Sequence, residues 1–539
     1  MNARIRGASG ATRKRKRKLG AALSKRTILQ ALLAIVLGIV AALVLPHVFG
    51  EEFATRKAAR VYAPVAGQIY GTGSRDGISV MLIDDAALSQ AGQTWPASYG
   101  YYARLLRGMQ SYHPRAVFFD IVFKDARPDP ALAPFVQGLC ALREAGTRVY
   151  LAATPDAHGK LRVRDGLAQY AGRCFDLVAV SYSPDEIDKL AWSYPLEQRT
   201  GEGPAQRSAA LAIHDDFAKR PLADARTPMA LLWGLEPAAD GLRLLAQPEA
   251  RESDAAPAPK APAEGGEANA ANEDGAPEAA EPYCRTDHGF AEILPFGPHQ
   301  WLFHDAEKPV CVFHETVYAY DLANDDDEGE AMLKRALTNR VVMIGTARSY
   351  SNDYVNSPIH GRIPGVYLHA MALDNLDTFG DQYKHVAALA PSLDRDHRSL
   401  FVLVFGGLLA VVLVRVAKNC LRNEERRERD RFELSWPWAG QRTREAIVWV
   451  GMSLIEIVAS IALVGILLAI GQSVFNIGFL SVVDIAVFAL AAEWFEWNEK
   501  LVDWLLGPED EARNDADENP NTAASNKKAA HQEANQERA

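Results

Sequence analysis

The stretch ISVMLIDDAALS, Ile78–Ser89, decides the fold. Its run Val80-Met81-Leu82-Ile83 is apolar without alternation, which marks a strand covered on both faces, as in a parallel sheet. Two carboxylates, Asp84 and Asp85, end it abruptly. Beyond them, Ser98 to Tyr112 places Tyr102, Leu105, Leu106 and Met109 on one helical face, with Ser98 as the N-cap. AVFFDIVF, Ala116–Phe123, reads as a second strand interrupted by Asp120. A helix over Pro130–Glu144 and a strand over Arg148–Thr154 follow. The β-α-β-α-β order predicts an α/β fold with a mainly parallel sheet and right-handed crossovers. Later, DLVAVSY (Asp176–Tyr182) and RVVMIGTA (Arg340–Ala347) read as strands, and Gln206–Phe217 and Pro364–Phe379 as helices.

Hydropathy sets this domain among membrane spans. Four apolar runs, 27–49, 399–417, 446–471 and 474–492, each approach or exceed the roughly 18–20 residues a transmembrane helix needs. The net charge of −10 hides an asymmetry: the first thirty residues hold ten Lys or Arg and no acid. The run RKRKRK at Arg13–Lys18 sits just ahead of the first span, which favours an orientation signal over nucleic-acid binding. The loop 418–445 is also Arg-rich, so the arm 1–26, this loop and the acidic tail 493–539 are expected in the cytoplasm. Residues 50–398 are then expected in the periplasm of a bacterial inner-membrane protein. Pro248–Pro282 is rich in Ala, Pro, Glu and Gly and is expected to be a disordered insertion. Cys140, Cys174, Cys284 and Cys311 fall outside, an even number suited to disulfides. Sequence order suggests 140–174 and 284–311, although three pairings are open to four cysteines.

Two blocks far apart in the chain resemble the second type of CHASE domain, the cyclase/histidine-kinase-associated sensory extracellular domain. The first block is Ile83-Asp84-Asp85, Trp95-Pro96 and Phe119-Asp120-Ile121-Val122-Phe123. The second is Ile344-Gly345-Thr346, Asp353, Ser357-Pro358 and Pro364-Gly365-Val366-Tyr367-Leu368-His369-Ala370. Family members often carry an Arg shortly after Trp-Pro, where this chain has Ala97-Ser98-Tyr99. The resemblance implies a sensor that detects a small ligand or an envelope stimulus. Members usually end in a kinase or cyclase; here the tail is too short for one, so a separate cytoplasmic or membrane effector is the expected partner. A homo-oligomer is a further partner expectation. No phosphate loop or kinase signature is present, and no cofactor and no enzymatic activity are expected.

Asp84, Asp85, Trp95, Asp120, Asp353 and His369 are the candidate ligand-binding residues, because the carboxyl ends of parallel strands open onto a ligand crevice. Gathered carboxylates suit a cation or a basic group, and no metal is specified. The competing structural reading has Asp85 capping a helix over Ala86–Gln90, Asp120 hydrogen-bonded internally, and Trp95 and His369 simply packed. His299, His304 and His314 lack zinc-ligand spacing and are assigned no role. Glu456 and Asp484 fall inside the third and fourth runs, where an ionisable group points to function or to a polar helix seam. Two rival readings follow: a membrane-anchored periplasmic metal-dependent hydrolase, or an accessory subunit of a transport or envelope complex. The first lacks Gly-x-Ser-x-Gly and His-Glu-x-x-His motifs.

Overall fold

The computed structural model describes residues 56–385, apart from 57–58, 61–62, 65, 125–127, 200–202, 224, 239–283, 285–309, 324–325 and 351–352. The four expected spans, the basic arm and loop, the insertion, the tail, Glu456 and Asp484 lie outside the described residues. Among those described, no helix is long and apolar enough to cross a membrane.

The strands are β1 (Ile78–Asp84), β2 (Ala116–Phe119), β3 (Arg148–Pro155), β4 (Leu161–Arg162), β5 (Asp176–Ala179), β6 (Ser193–Tyr194), β7 (Glu197–Gln198), β8 (Gln206–Arg207), β9 (Met229–Ala230), β10 (Glu315–Tyr318), β11 (Val341–Ala347), β12 (Tyr354–Ser357) and β13 (Gly361–Pro364). The main helices are α1 (Asp85–Gln90), α2 (Tyr99–Gln110), α3 (Leu132–Glu144), α4 (Asp165–Ala168), α5 (Ala209–Phe217), α6 (Asp327–Leu337) and α7 (Val366–Phe379). The sheet runs β10-β1-β11-β2-β3, with β5 also on β3. All these strands are parallel; only β4 lies antiparallel, on β3. The mainly parallel α/β sheet expected from the sequence is therefore present. Short antiparallel pairs, β6 with β9, β7 with β8 and β12 with β13, stand outside it.

The unbroken apolar runs have the reason given by their periodicity: both faces of the sheet are covered. On one face Ile78, Val80, Leu82, Phe118, Tyr150 and Met343 pack with α5 and α7. On the other, Met81, Ile83, Phe119, Leu151 and Ile344 pack with α2, α3 and α6. Each large apolar side chain so buried contributes about 1.5–3 kcal/mol of burial free energy. Side-chain caps set the helix starts: Ser98 accepts from Tyr101 N at 3.2 Å, Ser208 from Leu211 N at 3.3 Å, and Asp326 from Gly329 N.

Several expected boundaries move. The second strand stops at Phe119 rather than Phe123, with the Asp120 N–H making a last bond to Ile344 O of β11. Gln206-Arg207 is a strand paired with β7, and the helix starts after the Ser208 cap. Pro364 closes β13, so the last helix begins at Val366. Asp84, not Asp85, caps the helix after β1: its Oδ1 accepts from Ala87 N at 2.7 Å, while Asp85 opens the helix.

Both disulfides follow sequence order, Cys140–Cys174 and Cys284–Cys311. The first ties α3 to the segment entering β5 across a sequence separation of 34. Chain-entropy arguments put such a link at about 3–4 kcal/mol. We expect Cys140→Ser combined with Cys174→Ser to lower unfolding free energy by about that amount. Denaturant melts under oxidising conditions check it; a loss below about 1 kcal/mol would show that the bond holds nothing the core does not.

Candidate functional site

Three of the six candidate residues meet at the carboxyl-terminal edge of the sheet. Asp120 follows β2, and its backbone N–H donates to Ile344 O of β11 at 2.8 Å, so the carboxylate is fixed where the ladder ends. His369 comes from α7, with Nε2 3.6 Å from Asp120 Oδ1. Their side chains are only 5% and 9% exposed. His369 Nδ1 is hydrogen-bonded to Tyr194 OH of β6 at 2.7 Å, and Phe118 packs edge-on against the imidazole at 5.5 Å. A neutral ring whose Nδ1 accepts from Tyr194 carries its proton on Nε2, facing Asp120.

Asp353 completes the group from the connection between β11 and β12. The residue reaches the surface, but its carboxylate turns inward: Oδ2 accepts from Thr346 Oγ1 at 3.3 Å, and its backbone O accepts from Gly365 N at 2.9 Å. A Cβ on Gly365 would lie 2.5 Å from Asp353 Oδ1, so a side chain there would displace the carboxylate. Next to it, a Cβ on Gly345 would lie 2.4 Å from Val366 Cβ. The two glycines of the Ile-Gly-Thr and Pro-Gly-Val motifs thus let the start of α7 sit directly on β11 and on Asp353.

Burial governs the electrostatics. Desolvation pushes Asp120 up from 3.8 to about 7. Desolvation and then the nearby Asp120 charge push Asp353 to about 7, against the opposing effects of His369 and Thr346. His369 falls from 6.5 to about 4, again through burial first. Tyr194 is raised by burial despite its contacts with Ser208 and the Ala210 N–H. Burial thus favours the neutral forms of Asp120 and His369 where the two side chains meet.

The other three candidates are engaged by other partners. Asp84 is buried and serves as the α1 cap. Asp85 is exposed and accepts from Ser349 N at 2.9 Å and Oγ at 2.8 Å, pinning the chain after β11. Trp95 is 38% exposed, and the Arg348 guanidinium stacks over its ring at 4.6 Å. A guanidinium therefore does accompany Trp95-Pro96, supplied by Arg348 rather than from positions 97–99. Among the described residues, no set of three or more His, Cys, Asp or Glu is arranged to hold a metal ion.

The family model for the CHASE2 domain matches residues 36–412. The chain belongs to the CHASE2 domain family. It thus carries an extracellular sensory domain, as its two motif blocks imply. Comparison with curated proteins and with solved structures found no match. In this CHASE2 chain parts of the two blocks meet in space: β2 and Asp120 come from the first, and Thr346, Asp353, Gly365 and His369 from the second.

Sequence reasoning missed further buried polar residues along α7. All of Val366–Leu376 is buried, so every polar group there needs an internal partner. Asp374 Oδ1 accepts from Tyr70 OH at 2.5 Å, and Oδ2 lies 3.2 Å from His314 Nε2. Asn375 donates to Leu232 O and Met371 O, both at 2.8 Å, and accepts from Leu232 N at 3.1 Å. His314 was assigned no role because its partner is 60 residues away, and no spacing rule reaches that far. Tyr194 sits in a two-residue strand with no periodicity to mark it.

Proposed function

We propose that this CHASE2 protein is a bacterial inner-membrane sensor. Its extracytoplasmic domain registers a stimulus at the Asp120–Asp353–His369 cluster and passes the change through the flanking apolar segments to a separate effector. The family match carries this reading: it begins at 36, inside the first apolar run, and ends at 412, inside the second. The family unit thus comprises the α/β domain with the ends of the two segments expected to anchor it. The placement of α7 supports the same reading, because its C-terminal half packs against Tyr70, on the segment that follows the first run, and leads toward the second.

Cross-linking in native membranes, followed by purification of the intact chain and identification of what comes with it, tests this. We expect a kinase, cyclase or other regulator in the eluate, attached through the loop 418–445 or the tail. Recovery of transport or envelope subunits alone would overturn the sensor reading, and Glu456 and Asp484 would then be the residues to mutate.

A further inference from the structure

We propose that the stimulus is the proton itself, bound at the Asp120–Asp353–His369 cluster, and that helix α7 relays the change of charge to Tyr70. The inference rests on the sensor reading above and names what is sensed. Three separate elements contribute to the cluster, so its charge state bears on how they seat together. Asp120 ends β2, Asp353 lies between β11 and β12, and His369 is on α7. Among the described residues, Tyr194 from β6 faces His369, itself contacted by Ser208 and the Ala210 N–H at the start of α5, and Thr346 from β11 faces Asp353. Tyr354 of β12 lies within electrostatic reach of Asp353, and also of Arg362, Asp85 and Arg348. On the β1 side, Asp84 is engaged with the α1 cap and influences Tyr101.

With both carboxyl groups protonated and the imidazole neutral, the cluster carries no charge. Loss of the Asp120 proton places a negative charge beside the first turns of α7, where burial makes it costly, and Asp353, which reaches the surface, adds a second at smaller cost. The start of the helix sits directly on the sheet: a Cβ on Gly345 would lie 2.4 Å from Val366 Cβ. A 14-residue helix spans about 21 Å, and its far half is held by polar contacts. Asp374 holds Tyr70 and His314, Thr378 Oγ1 donates to Ser74 Oγ at 3.1 Å, and Asp377 meets His214 at 2.8 Å. A displacement started at His369 therefore reaches the segment that follows the first apolar run.

The test uses the full chain. Infrared difference spectra of the protein in lipid nanodiscs, between pH 8 and pH 5.5, read protonated carboxyl groups directly. We expect a band with a midpoint near neutrality, lost in Asp120→Asn and reduced in Asp353→Asn. In cells, cross-linked effector recovery should differ about fivefold or more between pH 5.5 and 7.5. Asp120→Asn should abolish that difference and hold recovery at the acidic wild-type level, whereas His158→Gln, at an exposed turn outside the cluster and α7, should leave it intact. A midpoint below about 5, or pH dependence that survives Asp120→Asn, overturns the proposal. If the effector is recovered equally at both pH values, the proton is not the stimulus and the sensor reading stands. If the band titrates but no effector is recovered at either pH, the sensor reading falls and this inference with it.

Discussion

Replacing Asp374 with Ala is expected to remove about 2–5 kcal/mol of stability. The carboxylate is fully buried, and it is the shared partner of Tyr70 OH and His314 Nε2. Truncation leaves both partners inside the core without that acceptor, at about 1–3 kcal/mol for each buried polar group left unsatisfied. Burial and the Asp374 charge together raise Tyr70 well above the usual tyrosine range, so its hydroxyl stays a donor throughout the accessible pH range. Asp374→Asn keeps one acceptor oxygen and should lose roughly half as much. Denaturant titration of the full chain in detergent, followed by tryptophan fluorescence, measures both variants. A loss under 1 kcal/mol for Asp374→Ala would mean that α7 is not fastened to the Tyr70 segment through this carboxylate.

Asp120→Asn is expected to act in the opposite direction, and only at high pH. The carboxyl is held at about 7 in the fold against 3.8 ordinarily, so the native state binds the extra proton between about pH 4 and 7. Stability from this group is present at low pH and lost as pH rises through that window. At 1.36 kcal/mol per pH unit the full penalty is about 4 kcal/mol at pH 8. His369, held near 4 against 6.5, works the other way: its contribution is lost as pH falls from about 6.5 to 4. The Asn variant removes only the first of these. It should therefore be more stable than the parent at pH 8, by up to about 4 kcal/mol, and equal to it near pH 4. Paired melts across pH 4–8 check the slope, and a difference that does not change with pH would refute the assignment.

The central elements were legible because burial on both faces leaves a signature that one sequence contains. Val80–Ile83 and Val341–Ile344 have no polar positions, and Ser98 and Ser208 mark the starts of their helices. Asp120, Asp353 and His369 were singled out as site residues, and the fold brings them together. What could not be read was which candidates converge. Asp84 and Asp85 are adjacent in sequence yet serve different elements, Asp84 the start of α1 and Asp85 the chain after β11, and Trp95 stacks under Arg348. The edge strand β10, Glu-Thr-Val-Tyr, opens on two polar residues and lacks the apolar run that marks the central strands. α6 has an exposed acidic first turn that resembles a loop. Partners such as Tyr70 and Asp374, 304 residues apart, depend on chain topology and leave no local trace.

The order of the strands also dictates when the domain can assemble. β11, at 341–347, occupies the slot between β1 and β2, which end long before it in the chain. A polypeptide emerging from its N-terminus first presents β1, β2, β3 and β5 with the central position empty. β1 and β2 cannot close on one another without abandoning their native registers with β11. The sheet therefore waits for its last strand, and the loop-closure entropy of that long delay falls on the rate of folding rather than on final stability. Synthesis halted before Ala347 yields two half-sheets with open edges, a state open to aggregation and proteolysis, rather than a smaller working domain.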